Sequence, residues 1–313
     1  MLQTKALYNL FRINLRDGEP LEVDPWVLED LRALDISLLW KKLAAEQILL
    51  DRAAFCHYAE EVDSPEELTV LLTDEALDQK TVDRVYLVLF ELWRRLLPEK
   101  PSLSIFCDEL DRLIDLYDTG LLSSDELIQD KLALFADLLE EHADAGMDSK
   151  EAFVSISNYC AHDLEGFLYD YIMDQENPAY AAELLEMFEP FMPTTEWVAL
   201  LKARALSLSD VSAANQLIQK TLIKAPSLDV ITEALSLLVE FGEIDVFRYA
   251  MQKALSKIQT PEDLHDLIEV AADFYRRLDC DALEVAILKI QKEASSSLSS
   301  LDSLIRKVQE VIS

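Results

Sequence analysis

A chain of 313 residues is long enough for two domains or one elongated array. With 50% apolar and 28% charged side chains it has a globular composition, and its five glycines argue against phosphate loops and turn-dense β architectures. Sixty acids against 28 bases, a net charge of −32, repel phosphates and weigh against ordinary nucleic-acid binding. Such a surplus either keeps helix faces solvated or steers a basic partner.

In chain order, residues 1–20 read as a short amphipathic helix carrying Leu7, Leu10, Phe11 and Leu15, then a turn at Asp17-Gly18-Glu19-Pro20. Met1 to Leu15 is interrupted by Lys5, Arg12 and Asn14 and does not read as a signal peptide. Asp24-Pro25 opens the next helical stretch, Trp26 to Glu61, with a break expected near Asp35 to Ser37. Ser64-Pro65-Glu66-Glu67 predicts a capped helix start. A helix from Lys80 to Leu97 follows, and Leu97-Pro98-Glu99-Lys100-Pro101 is a rigid break. Further helices are expected over 102–118, from a capping box at Ser123 to Glu126 as far as His142, and from a third box at Asp148 to Glu151.

Ala143 to Ser149 is the expected boundary, giving an irregular α-helical domain over 1–147 and a repeat domain over 148–313. In the second domain, amphipathic helix pairs recur between Pro193, Pro226 and Pro261, spaced 33 and 35 residues. A period near 34 built from helix pairs is the signature of a helical repeat array. The tail, with Leu298, Leu301, Ile305, Val308 and Ile312 after Ser295-Ser296-Ser297, reads as a helix capping the last repeat or as a weak homodimer contact. No segment alternates as a strand, so the expected fold is all-α.

Trp197, Leu200 and Ala213 in one unit, Gly242, Ala254 and Leu255 in the next, and the closing prolines resemble the tetratricopeptide repeat family. The likeness covers about half the chain. It departs from the family where a mid-helix glycine is replaced by Leu201, Leu235 and Asp273 or Phe274. The resemblance implies a superhelix whose first helices line a groove. Groove positions would then be Thr195, Val198, Lys202, Asp229, Thr232, Ser236 and Glu240. The family's clamp of basic and asparagine residues for a terminal carboxylate is not apparent, because Lys202 stands alone. Asp229, Glu240 and Glu269 suit a basic or amphipathic segment better.

The chemistry of catalysis is sparse. Cys56-His57 and Cys160-Ala161-His162 lack companions at zinc spacing. Glu262 to His265 is one E-x-x-H where a di-iron bundle needs two. Asp74-Glu75 with Asp78 resembles a magnesium-binding acidic helix but has no facing motif, and Asp108, Asp111 and Asp115 around Arg112 read as a solvated face. Four scattered cysteines without C-x-x-C fit a reducing, cytoplasmic setting. No 18-residue apolar run spans a membrane.

The expectation is therefore a non-enzymatic scaffold, adaptor or chaperone that needs no metal or cofactor and binds a protein partner. An all-α enzyme with a carboxylate-bound divalent metal and an acidic nucleic-acid mimic are the alternatives.

Overall fold

A computed structural model describes residues 5–16, 18, 22–74, 76–224, 226–294 and 300–312. Among them are seventeen α-helices, two 3₁₀ turns and no strand. No described helix is long and apolar enough to cross a membrane. The chain divides into two compact units, Met1–Phe167 and Leu168–Ser313.

The first unit contains α1 (Lys5–Arg16), 3₁₀ turns at Pro25–Leu28 and Leu31–Ala33, α2 (Ile36–Ala45), α3 (Arg52–Glu60) and α4 (Pro65–Leu72). It continues through α5 (Gln79–Leu96), α6 (Leu103–Asp118), α7 (Glu126–Asp144), α8 (Ser149–Ser157) and the start of α9 (Leu164–Met173). Its hub is α5. Every residue from Val85 to Trp93 is buried, and a helix buried all round must be enclosed by others. The buried Glu91 on it is paired by Arg94 and Arg95. Arg95 also donates to the carbonyls of Leu31, Arg32 and Leu34, which moors the 3₁₀ segment to the hub. The proline-bounded break after α5 is pinned as well, with Trp93 Nε1 donating to Lys100 O at 2.8 Å and Lys100 Nζ to Ala59 O at 2.9 Å.

Several expectations change here. The stretch Trp26 to Glu61 is not one helix: it starts as 3₁₀ turns, restarts after Asp35, and breaks again after Ala45, where Gln47 has φ 68°. Ser64 caps α4 through the Glu67 amide at 3.1 Å, but the Glu67 carboxylate returns to the Asp63 amide at 2.9 Å, one residue before the capping serine. At α7 it is Ser124, not Ser123, whose hydroxyl accepts the Glu126 amide. The turn residues Asp17, Glu19 and Pro20, with Met1 to Thr4, Glu75 and Ser295 to Ser299, lie outside the described residues.

The division after Phe167 falls beyond the expected boundary at 147/148. The reason is local. Helix α8 packs on α7, and Asp111 on α6 accepts the amides of Ala161 at 2.9 Å and His162 at 3.1 Å. Residues 148–167 are thereby fastened to the first unit.

The second unit comprises the rest of α9, then α10 (Pro178–Phe188), α11 (Thr195–Ser207), α12 (Val211–Ile223), α13 (Leu228–Phe241) and α14 (Ile244–Leu255). It closes with α15 (Pro261–Arg277), α16 (Asp281–Ala294) and α17 (Leu301–Ile312). Helices pair as α11 with α12, α13 with α14 and α15 with α16. Alternate helices also touch, α11 with α13, α13 with α15 and α12 with α14. That is how stacked hairpins share one continuous core. Pro261 opens α15 rather than closing the previous pair: it is the first helical residue behind Thr260, whose hydroxyl and Asp263 exchange capping hydrogen bonds.

Polar and aromatic contacts fix the stacking. Buried Asn215 on α12 accepts the Glu243 amide at 2.8 Å and donates to Val211 O at 2.8 Å. Phe247 on α14 stacks on Phe274 of α15 with centroids 3.6 Å apart. Gly242 lets the chain turn between α13 and α14, because a Cβ there would lie 2.5 Å from Leu238 O. Helix α17 lies against α14, α15 and α16 and buries Leu304, Val308 and Ile312. Of the apolar stripe expected in the tail, Val308 and Ile312 are buried against the chain, while Leu301 and Ile305 are half-buried.

Candidate partner-binding face

The first helices of the three pairs, α11, α13 and α15, are successive neighbours, and their outward rows form the candidate face. On α13 the row is Asp229, Glu233, Ser236 and Glu240, at spacings of four, three and four that keep side chains on one face. Thirty-three residues on, α15 repeats it as Glu262, Asp266, Glu269 and Asp273, all exposed. The buried residues follow the same offset: Ile231, Ala234, Leu235 and Leu238 correspond to Leu264, Leu267, Ile268 and Ala271.

The expected groove residues divide on this map. Thr195, Asp229, Ser236 and Glu240 are exposed, and Lys202 and Thr232 are half-buried. Val198 is buried at 8% exposure and belongs to the core; the row passes instead through half-buried Ala199. One residue of register, about 100° around a helix, separates the two.

Much of the remaining polarity is already engaged. Thr232 Oγ1 donates to Leu228 O at 3.1 Å and Ser236 Oγ to Thr232 O at 3.2 Å, the back-bonding of hydroxyls within a helix. Lys202 is paired with Glu189, while Arg204 stands 3.9 Å from Glu240. Arg276 is held by Asp273 and Glu284. His265 sits 3.3 Å from Glu269, so the E-x-x-H histidine faces the next turn rather than Glu262. Asp229, Glu262 and Asp266 are exposed and join none of these pairs. The face therefore offers carboxylates and few free cations.

Glu233 is the residue that sequence reading passed over. Burial first, then the charge of Asp170, raises its carboxyl above the usual carboxylate range. Tyr169, on α9, is itself buried, and its ring meets Trp197 of α11 edge-on at 4.2 Å. A protonatable carboxyl thus sits at the edge of an aromatic pair. Nothing in the spacing marked it, because Glu233 lies beside Thr232 on the helix and only packing decides how deep each sits.

The other motifs resolve into local structure. Asp74 accepts the Ala76 amide at 2.9 Å and Asp78 accepts the Thr81 amide at 3.1 Å and hydroxyl at 2.8 Å, so both serve turns and caps. His162 pairs with Asp111 at 3.1 Å. The Cys160 thiol is raised above its ordinary range, first by the neighbouring Cys107 thiol and then by burial, and Cys107 Sγ itself donates to Ile156 O at 3.8 Å. Among the described residues no group of three or more His, Cys, Asp or Glu is placed to hold a metal ion.

No protein-family model, curated protein or solved structure matches this chain. Its functional reading rests on its own residues.

Proposed function

We propose that the chain is a non-enzymatic interaction scaffold, adaptor or chaperone, with tetratricopeptide-like helix pairs that hold a basic or amphipathic segment of a partner protein. The supporting observation is the row repeated on α13 and α15 at an offset of 33 residues, in which Asp229, Glu240, Glu262, Asp266, Glu269 and Asp273 are exposed carboxylates. A ladder of like charges at equal steps suits an extended or helical segment bearing Lys or Arg at matching intervals. Rim charges of this kind act mainly on the association rate and on salt sensitivity. The −32 charge of the chain adds long-range steering of the same sign. In this reading the protein works as a cytoplasmic monomer.

The test is selection from a displayed random-peptide library on the immobilised full chain, at about 50 mM and about 200 mM salt, a range over which exposed-charge attraction is screened. Peptides enriched in Lys and Arg, and lost from a D229N/E240Q/E269Q variant, support the reading. Enrichment of acidic or purely apolar peptides, or indifference to the variant, contradicts it.

A further inference from the structure

Two cysteines that lie far apart in the sequence meet beside α6. On that helix Cys107 and Asp111 stand four residues apart and share one face. Asp108 and Asp111 are buried at 4% and 3% exposure, which overturns their reading as a solvated face. Two contacts fasten the end of α8 and the turn after it to the Cys107–Asp111 face. The carbonyl of Ile156 accepts Cys107 Sγ at 3.8 Å and the Tyr159 amide at 2.9 Å. Asp111 accepts the Ala161 amide at 2.9 Å and the His162 amide at 3.1 Å. Cys160 lies between these contacts in the chain, with its own amide on Ser157 O at 3.0 Å.

The two thiols are therefore neighbours, and Cys107 is the first influence on the Cys160 thiol, ahead of burial and of the charge of Asp111. All four cysteines are free thiols. The pair differs in access: Cys107 has 0% exposure, whereas Cys160 is half-buried. Cys56 sits on α3, and Cys280 belongs to the second unit. Without a C-x-x-C spacing, only the fold makes a pair of Cys107 and Cys160.

We infer that Cys107 and Cys160 form a reversible dithiol–disulfide site, in which a small external disulfide oxidises half-buried Cys160 and buried Cys107 resolves the product. The Cys160 thiolate attacks one sulfur of the reagent RSSR, making a Cys160–SR bond and releasing RS⁻. The Cys107 thiolate then attacks the Cys160 sulfur, making the Cys107–Cys160 bond and releasing the second RS⁻. The two thiol protons end on the released RS⁻ groups. Two electrons pass from the cysteines to RSSR, which leaves as two RSH. Each step uses one thiolate, so the two sulfurs never carry charge together.

The new bond encloses α7 and α8 in one covalent loop and adds to the grip of Asp111 on residues 161 and 162. Excess thiol, as in a reducing compartment, reopens it. The site is distinct from the carboxylate face on α13 and α15 and does not depend on it.

The experiment is oxidation of the full-length chain with 2-hydroxyethyl disulfide, an uncharged reagent that the −32 surplus does not repel. Because the Cys160 thiol is raised, the reaction is run to equilibrium at about pH 8.5, where an ordinary thiol is half ionised. Acid-trapped products are mapped by mass spectrometry of unreduced peptides, beside a sample oxidised in concentrated urea. The inference predicts a Cys107–Cys160 link at least tenfold more abundant than any other cysteine pair, with that excess lost in urea and the link reversed by excess 2-mercaptoethanol. Cys107→Ala should halt the reaction at a mixed disulfide on Cys160; the comparison of native and urea samples of the wild type decides the matter without it. A wild-type chain that keeps a mixed disulfide on Cys160 beside a free Cys107, leaves Cys160 unreacted, or links other cysteines as readily overturns the inference.

Discussion

Gly242 and Asp108 show how single atoms hold each unit in shape. Gly242 closes α13 with its amide on Leu238 O at 2.8 Å, and its own carbonyl accepts Arg277 Nη2 at 2.6 Å. Because a Cβ would meet Leu238 O at 2.5 Å and Leu238 Cβ at 2.7 Å, Gly242→Ala should cost about 1–3 kcal/mol, the usual range for overpacking, read as a lower urea midpoint. Asp108 is a different case. Burial alone would raise its carboxyl, but the charges of Lys5 and Arg32, with hydrogen bonds from Asn9 and Arg32, outweigh it and leave the group below the ordinary carboxylate range. Its folded value is lowered, so its contribution is present above the unfolded value of about 3.9 and disappears as pH falls through the folded value. Asp108→Asn should cost about 3–5 kcal/mol at neutral pH by stripping buried cations of their partner. It should also flatten the acid limb of a stability-against-pH curve. An acid limb as steep as that of the wild type would refute the assignment. Glu233 has the opposite sign. Its raised value means that its contribution is present below about 4.3 and is lost as pH rises through the folded value. Glu233→Gln should therefore stabilise the chain at neutral pH and do nothing in acid.

At the scale of helices, the legible part of the sequence was its periodicity. The stripes of α13 and α15 put Ile231, Leu235, Leu238, Leu264, Leu267 and Ile268 where the core is, because helices facing one shared core follow their apolar period. Helix α1 was legible as an amphipathic helix, and Phe11 packs on the core beside buried Tyr8, although Leu10 and Leu15 are 38% and 44% exposed. Its polar contacts with the aspartates of α6, about a hundred residues away, leave no local trace. Of the expected groove positions, burial removes Val198, and Glu233 was passed over, because a stripe of residues does not fix a helix's register to better than one residue. Helix α17 gives the sharpest test at this scale. Val308 is fully buried against its own chain, so Val308→Asp should cost about 3 kcal/mol or more by burying an unpaired charge. That loss should appear as reduced hydrogen-exchange protection in α15 and α16. A variant of unchanged stability would show that α17 does not close the stack.

For the whole molecule, the two units divide the labour by charge chemistry. The first buries its ions in paired networks around α5 and α6, and the second presents carboxylates outward on α13 and α15. Net charge speaks to partners and not to fold, so the −32 of the chain bears on function through where the unpaired acids stand. The most direct measurement is hydrogen exchange of the full chain with and without a library-selected Lys- and Arg-rich peptide. The account predicts added protection in α13 and α15, weakened by salt and absent in the D229N/E240Q/E269Q variant. Protection confined to other helices, or retained in that variant, would contradict it.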